Sequence, residues 1–248
     1  LWAIRKNAEL TVPAEDVVAI TNGGGIRAAI HKGDISKLDV NTVLPFGNTV
    51  AVVYVTGAEL LEALEASTFA LPKSLGGFPQ IAGMNISIDA TKKYDANADT
   101  YPGSTYHGPA SINRVTINSV NGKAFDPNKT YAVVTNNFLA AGGDTYYAFA
   151  AASVNYDLGL SMDEVVMDYI TDELKGTVTE EAYGQPAGRI TVDQGLAFTD
   201  VAATSPYYDG IEWAVDEGIT NGTTATTFSP YQNCTRAQII TYLWRAAG

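Results

Sequence analysis

The chain has 248 residues, 46% of them hydrophobic, and a formal net charge of −12. This length and composition suffice for one large or two moderate globular domains, while the acidic balance argues against binding to DNA or RNA, whose phosphates it would repel. One cysteine, Cys234, excludes an intrachain disulfide, two histidines are too few for a histidine-rich metal centre, and no apolar run reaches the roughly 18 residues of a membrane span.

Residues 1–192 are predicted to alternate short strands with a smaller number of helices. LWAIRKNAEL, at the start, has the pattern of an amphipathic helix, which we expect to be the end of a helix that begins upstream in a longer protein. Further helices are predicted over residues 57–67 and 161–174, the second with Ser161 as its N-cap. Since strands outnumber helices and turns separate many of them, we expect an α+β fold with a mixed, largely antiparallel sheet and flanking helices. The predicted strands cover residues 17–21, 48–55, 85–89, 114–120 and 130–135.

Three consecutive glycines and an arginine follow the first predicted strand, in the sequence NGGGIR. Glycine lets backbone N–H groups turn toward a ligand and lets that ligand approach the main chain. Arg27 offers a planar fork to a phosphate or a carboxylate. A tight strand-to-helix turn with Arg27 in a surface salt bridge accounts for the same residues, and the spacing matches neither a P-loop nor a dinucleotide fingerprint.

Two later loops carry aromatic side chains. Phe46 lies between a proline and a glycine in LPFGNTV, where flanking turn residues favour the surface. Phe138 follows two asparagines at the end of a strand in TNNFLAAGGD, and Asp144 ends that segment at the tip of a glycine turn. Two loop aromatics, an arginine with open backbone donors and a loop carboxylate are what a nucleoside phosphate requires, since stacking of a base contributes roughly 1–3 kcal/mol in measured nucleic-acid complexes.

NGGGIR, LPFGNT and NFLAAGGD occur in that order, with a GAEL helix between the second and third. Together they resemble the C-terminal domain of the bacterial and animal 5′-nucleotidases, the UshA and ecto-5′-nucleotidase group with its 2′,3′-cyclic phosphodiesterase relatives. The resemblance extends from the first residue to about Val192 and includes GGFPQIAGM and AGRITV. It implies a substrate-binding domain that holds a nucleotide or nucleoside.

The resemblance also implies roles for particular residues. Phe46 and Phe138 would sandwich the base, and Asp144 would accept hydrogen bonds from the ribose hydroxyls. Further contacts with sugar, base and phosphate would come from Asn22, Gly24, Gly25 and Arg27.

Catalysis in this family uses two divalent metal ions in a separate N-terminal metallophosphatase domain. The D-x-H and G-N-H-[DE] motifs of that domain do not occur in this sequence. We therefore expect no catalytic residue, no metal and no other cofactor in this chain, which should bind its ligand without hydrolysing it and work together with the missing N-terminal domain. A family helix with further arginine contacts is expected upstream of Leu1.

The composition changes near residue 198, after a predicted linker over residues 193–197. Two helices around a turn-rich loop are predicted in this mainly helical tail, over residues 209–217 and 235–248. Thr235 and Gln238 should form a capping box at the start of the second helix. Its buried apolar stripe is predicted to consist of Ile239, Ile240, Leu243 and Trp244.

Residues 198–248 resemble an S-layer homology repeat over their whole length. Such repeats attach exported bacterial proteins to cell-wall polysaccharide, which implies an extracellular location at the bacterial cell surface. Arg236 matches the motif arginine that contacts the polymer, although a salt bridge at the helix N-terminus is an alternative role for it. Cys234 is expected to be a buried thiol, His31 to end a helical turn, and His107 to lie in an exposed loop.

Two principal hypotheses follow for the function of the chain. The first is the nucleotide-binding specificity domain of a wall-anchored 5′-nucleotidase or 2′,3′-cyclic-nucleotide phosphodiesterase. The second is a cell-surface anchoring module that binds wall polysaccharide and has no nucleotide ligand. An unrelated hydrolase is a third reading, but the sequence has no nucleophile motif such as G-x-S-x-G.

Overall fold

The computed structural model describes residues 1–247, apart from the side chain of Asn7. It divides the chain into two compact units, a larger one over Leu1–Asp193 and a smaller one from Gln194 onward. Among the described residues, no helix combines the length and apolar character needed to cross a bilayer.

Most strands of the larger unit are short, and several alternate buried with exposed residues. In chain order the strands are β1 (Val17–Asn22), β2 (Thr49–Thr56), β3 (Pro79–Ala82), β4 (Met84–Asp89), β5 (Ala96–Thr100), β6 (His107–Pro109), β7 (Val115–Val120), β8 (Thr130–Asn136), β9 (Val154–Ser161) and β10 (Ile190–Asp193). The helices are α1 (Trp2–Asn7), α2 (Lys37–Val43), α3 (Gly57–Ala66), α4 (Asn137–Ala140), α5 (Tyr147–Ala150), α6 (Met162–Asp168) and α7 (Glu180–Tyr183).

The central sheet has the strand order β3-β1-β8-β2-β9. Within residues 1–247, β1 and β8 are the one parallel pair of this sheet, and the other neighbours are antiparallel. A second sheet, β10-β4-β7, and the β5–β6 ribbon complete the unit. The predicted α+β fold with a mixed, largely antiparallel sheet is therefore confirmed.

Both faces of the central sheet are covered, which explains why β2 is buried along almost its whole length. Val53 packs with α3 on one face, where Leu60 and Leu64 are fully buried, as the apolar stripe of that helix requires. Val52 faces the opposite cluster together with Ile4 of α1. A capping box at Thr56 starts α3, because its hydroxyl and the Glu59 carboxylate satisfy each other's backbone N–H groups.

Three local predictions for the larger unit need correction, two of them only in part. Ser161 occupies the N-cap position of α6 as predicted, but its hydroxyl makes no capping bond and donates instead to the Asp163 carboxylate. The helix then passes into a wider π-helical turn over Tyr169–Glu173. His31 lies in an irregular segment, because the chain after the glycines forms no helix until α2. His107 is exposed as predicted, but it begins strand β6 rather than lying in a loop, and its Nδ1 lies 2.9 Å from the Asn97 carbonyl oxygen.

The smaller unit contains α8 (Tyr208–Asp216) and α9 (Arg236–Ala246). Its core is formed by Phe198, Val201 and Ile211, which are all buried. The predicted capping box of Thr235 and Gln238 is present at the start of α9, whose predicted last residue, Gly248, lies outside the described residues.

Two burial predictions for the smaller unit are wrong. Cys234 is exposed rather than buried. The expected buried stripe of α9 is also exposed, because a unit of this size has a core too small to cover both of its helices. The exposed fractions are 47% for Ile239, 67% for Ile240, 66% for Leu243 and 71% for Trp244.

Candidate functional site

The loops that carry the sequence motifs meet at one end of the central sheet. Because β1 and β8 are parallel, their carboxyl ends lie side by side. β3 is antiparallel to β1, with Asn22 opposite Pro79, and β2 is antiparallel to β8, with Val50 opposite Asn136. The segments after β1 and β8 and before β2 and β3 therefore converge, and we call this end of the sheet the motif end.

The glycine loop is pressed against the segment that precedes β3. The backbone N–H of Gly23 donates to the Phe78 carbonyl at 2.8 Å, and that of Gly24 donates to the Gly76 carbonyl at 2.7 Å. A Cβ atom on Gly24 would lie 2.9 Å from the Gly76 Cα, which is too close for any other residue type. These two N–H groups are thus engaged within the protein, contrary to the expectation that they point to a ligand. Gly25 leaves room instead for the side chain of Asn22.

Asn22 and Asp144, 122 positions apart in the chain, are joined by a hydrogen bond. Asn22 is buried, its Nδ2 donates to Oδ2 of Asp144 at 3.2 Å, and its Oδ1 accepts from Nδ2 of Asn136 at 3.1 Å. Asp144 has a left-handed backbone with φ 53 and packs against Gly77, where an added Cβ would lie 2.9 Å from the Cβ of Asp144. Burial raises the pKa of the Asp144 carboxyl, and the hydrogen bond from Asn22 opposes that rise.

Phe138 is 44% exposed and lies on the short helix α4. The tip of its ring rests on Gly143, where an added Cβ would lie 2.5 Å from Cζ. The side chain of Asn136 caps α4 by accepting the backbone N–H of Leu139 at 2.8 Å. The ring is therefore held on one side and open to solvent on the other.

Phe46 is 60% exposed in the tight turn before β2. The guanidinium carbon of Arg27 lies 5.9 Å from the centre of its ring, within the range of a cation–π contact. Arg27 also donates from Nη1 to the Gly24 carbonyl at 3.3 Å. Among the described residues, no ion pair includes Arg27, so the alternative of a surface salt bridge is not formed.

The cleft beside Phe46 is small. It is lined in part by Gly25, Phe46 and Asn136 and has a volume of about 10 Å³, which is too small for an aromatic ring. A planar ligand at the motif end would therefore use the solvent-exposed faces of Phe46 and Phe138 rather than this cleft. A wider groove of about 620 Å³ lies on the sheet beside Trp2 and Tyr169, and none of the predicted site residues lines it.

The motif end can thus offer two exposed aromatic faces, a half-buried carboxylate and a guanidinium. Among residues 1–247, no three His, Cys, Asp or Glu side chains are grouped so that they could hold a metal ion. The larger unit brings together, at this one end, the predicted residues Asn22, Gly24, Gly25, Arg27, Phe46, Phe138 and Asp144.

Three further residues at the motif end were missed in the sequence. Asn136 connects the capped helix α4 to Asn22. Gly77 and Gly143 have no side chain, which leaves the space that the side chains of Asp144 and Phe138 occupy. A signal for Asn136 exists, because asparagine just before a short apolar segment is a preferred N-cap. Gly77 and Gly143 each belong to a pair of consecutive glycines in the sequence, but the contact of Gly77 with Asp144 joins segments far apart in the chain and could not be predicted from the sequence.

The remaining predicted site residue, Arg236, lies in the smaller unit as the first residue of α9 and is exposed. None of the ion pairs within residues 1–247 includes it, so the salt bridge proposed as its alternative role is absent there. The other arginine of this helix, Arg245, donates from Nη1 to the Ile219 carbonyl at 3.0 Å. Both arginines are exposed.

Comparisons with known proteins identify the families that the two units resemble. The family model "5′-nucleotidase, C-terminal domain" matches residues 3–151, and the model "S-layer homology domain" matches residues 197–240. The trifunctional nucleotide phosphoesterase protein YfkN of Bacillus subtilis is 41% identical over 160 residues, which are 64% of this chain and 10% of that protein. Protein UshA of Escherichia coli is 31% identical over 173 residues, 70% of this chain and 27% of that protein.

Among solved structures, a 5′-nucleotidase precursor from Thermus thermophilus is 34% identical and superposes with a TM-score of 0.60, covering 77% of this chain and 33% of that one. The chain thus spans a small part of the length of the relatives that it matches. The converging motif loops, the fold and the family match lead to one conclusion. This chain belongs to the 5′-nucleotidase C-terminal domain family and carries an S-layer homology domain after that domain.

Proposed function

We propose that the larger unit binds the nucleoside part of a nucleotide at the motif end. The base lies between Phe46 and Phe138, and Asp144 accepts hydrogen bonds from the ribose hydroxyls. The observation that carries this proposal is the convergence of two exposed aromatic rings and a half-buried carboxylate from two separate segments, one before β2 and one after β8. Each group supplies one element of nucleoside recognition, namely stacking faces and an acceptor for paired hydroxyls.

The remaining contacts follow from the positions of Asn22 and Arg27. The Asn22 amide has two N–H bonds, of which one is directed to Asp144, and the second is proposed to donate to the ligand. Arg27 lies beside the ring of Phe46, where its guanidinium can meet the phosphate of a stacked nucleotide. In a chain of net charge −12, a local arginine is needed to offset the repulsion of an anionic ligand. Gly24 and Gly25 shape the floor of this site.

We further propose that substrate binding and catalysis are carried out by separate domains, and that the catalytic domain lies outside this chain. Ester hydrolysis by the parent protein, a 5′-nucleotidase or 2′,3′-cyclic-nucleotide phosphodiesterase, takes place on two divalent metal ions held by an N-terminal metallophosphatase domain. Residues 1–192 supply substrate binding, and this chain alone hydrolyses nothing. The relative from Bacillus subtilis is named a trifunctional nucleotide phosphoesterase, which supports phosphate esters as the substrate class.

Residues 198–248, after a linker at 193–197, are proposed to attach the protein to cell-wall polysaccharide at the bacterial surface. Arg236 is exposed at the start of α9 and is proposed to contact the polymer. Sedimentation with purified cell walls tests this: Arg236→Ala should lower the bound fraction, while Arg189→Ala in the larger unit should not. Equal binding of both variants would contradict the assignment.

Calorimetric titration with adenosine and AMP tests the nucleoside site. Phe46→Ala and Phe138→Ala should each weaken adenosine binding about 5- to 150-fold, the equivalent of a stacking contribution of about 1–3 kcal/mol. Tyr231→Ala is the matched control, because this ring is 85% exposed in the smaller unit. Absence of adenosine binding would favour an anchoring module without a nucleotide ligand. Phosphatase activity of this chain with added divalent metal would overturn the division of labour.

A further inference from the structure

The side chain of Asn136 makes three hydrogen bonds at the motif end. It is 1% exposed at the end of β8. Its Oδ1 accepts the backbone N–H of Leu139 at 2.8 Å, while its Nδ2 donates to Oδ1 of Asn22 at 3.1 Å and to Oγ1 of Thr21 at 3.2 Å. Since an amide has two N–H bonds, both donors are occupied, and the orientation of this amide is fixed.

The orientation of Asn136 determines that of Asn22. Asn22 must present its oxygen to the donor of Asn136, which leaves its Nδ2 to donate to Oδ2 of Asp144 at 3.2 Å. If the amide of Asn22 were reversed, its oxygen would face the Asp144 carboxylate and repel it. The hydrogen bonds from Asn136 to Asn22 and from Asn22 to Asp144 therefore form a chain with a single allowed direction.

The other end of the Asn136 side chain acts on Phe138. By capping α4, Asn136 fixes the first turn of the helix on which Phe138 lies. The carbonyl of Phe138 accepts the backbone N–H of Gly143 at 2.9 Å, and the ring rests on that glycine. One buried side chain thus contacts both the element that holds the aromatic ring and the amide that orients the carboxylate.

We propose that Asn136 is a positioning residue that sets the aromatic ring of Phe138 and the carboxylate of Asp144 in their binding geometry before the ligand arrives. This inference rests on the proposed nucleoside site. Asn136 itself touches no ligand, because its polar atoms are all engaged within the protein. Its effect on affinity comes from preorganisation, since a site that is already ordered loses less entropy on binding.

Two substitutions separate the functions of the Asn136 amide. Asn136→Ser keeps an oxygen that can cap α4 but removes both N–H donors. Asn136→Asp also keeps a capping oxygen and turns an acceptor toward Oδ1 of Asn22, so that the Asn22 amide must reverse. Asn137→Asp is the matched control, since this neighbour is exposed and its Oδ1 accepts the backbone N–H of Thr49 at 3.2 Å, a bond that aspartate retains.

Adenosine titration by calorimetry at 25 °C should give a dissociation constant at least about tenfold higher for both Asn136 variants. Asn137→Asp should bind as the unchanged chain does. Wild-type affinity in either folded Asn136 variant would overturn the proposal. An equal loss in Asn137→Asp would overturn it too, since the effect would then come from an added charge near the site.

Thermal unfolding tests the chain of hydrogen bonds without any ligand. Asn136→Asp should lower the melting temperature of the larger unit by about 5 °C or more. Asp144→Asn alone should change it little, because the asparagine oxygen still accepts from Asn22. In the double variant the reversed Asn22 oxygen meets an N–H donor at position 144, so at least half of the lost stability should return.

Additive effects of Asn136→Asp and Asp144→Asn on the melting temperature would contradict the proposed series of hydrogen bonds from Asn136 through Asn22 to Asp144. The recovered stability of the double variant should not restore adenosine binding, because the carboxylate is gone. If the unchanged chain bound no adenosine, the proposed function would fail on its own. The melting experiment would still decide whether Asn136 orients Asp144 through Asn22.

Discussion

Replacement of Gly143 by alanine is expected to weaken nucleoside binding while leaving the fold intact. An added Cβ would lie 2.5 Å from Cζ of Phe138 and 2.6 Å from Cε1 and Cε2. Carbon atoms in contact prefer about 3.5–4.0 Å, so the ring must retreat by about 1 Å or more. Phe138 is 44% exposed and can move into solvent, and the backbone of Gly143 is not left-handed, so alanine itself introduces no strain.

The free energy of unfolding of Gly143→Ala should therefore stay within about 1 kcal/mol of the wild-type value, since alanine also reduces the entropy of the unfolded chain. Adenosine affinity should fall roughly tenfold, because one stacking face of about 1–3 kcal/mol is displaced. Calorimetric titration and urea unfolding measure the two quantities. Gly210→Ala is the control, since nothing lies within 4 Å of the added methyl group. Unchanged affinity, or a stability loss above about 2 kcal/mol, would refute this reasoning.

Three other predictions concern stability and pH. Glu65→Ala should lower the free energy of unfolding of the larger unit by about 3–5 kcal/mol in urea titrations. The reason is that the fully buried Glu65 carboxylate accepts the backbone N–H of Arg114 and lies near the buried guanidinium charge of that residue. A loss below about 1 kcal/mol would contradict this. Adenosine affinity should decrease as the pH falls through the raised pKa of Asp144, because protonation removes an acceptor for the ribose hydroxyls, whereas titration with 2′,3′-dideoxyadenosine should show no such decrease. In the smaller unit, Leu243→Ser should change stability by less than about 0.5 kcal/mol, while Ile211→Ala should cost about 2–4 kcal/mol; equal losses in thermal unfolding would show that the α9 face is buried.

The sequence was most informative where local pattern and tertiary burial agree. β2 and α3 were predicted within one residue of their observed bounds, because the apolar run and the stripe of α3 match their buried faces. The motif loops could be singled out because glycine, and aromatic residues next to turn residues, are unusual choices for a core. Their convergence required the parallel pairing of β1 with β8, which no local pattern reveals.

The sequence-based predictions were wrong where the burial of a helix or strand depends on the elements packed against it. The periodicity of α9 indicates an apolar face, but only packing decides whether that face is covered, and Leu243 and Trp244 are exposed. β9 was missed because it pairs only with β2, at the edge of the central sheet, and its burial alternates weakly. The expected free donors of Gly23 and Gly24 are occupied by a backbone segment more than fifty residues away, a contact that sequence spacing does not encode.

Crystallisation of this chain with adenosine tests the central claim most directly. The adenine ring should lie between Phe46 and Phe138, in contact with both, and the ribose hydroxyls should lie within about 3.2 Å of the Asp144 carboxylate. An adenine bound elsewhere, such as in the groove beside Trp2, or stacked on neither ring, would contradict the account.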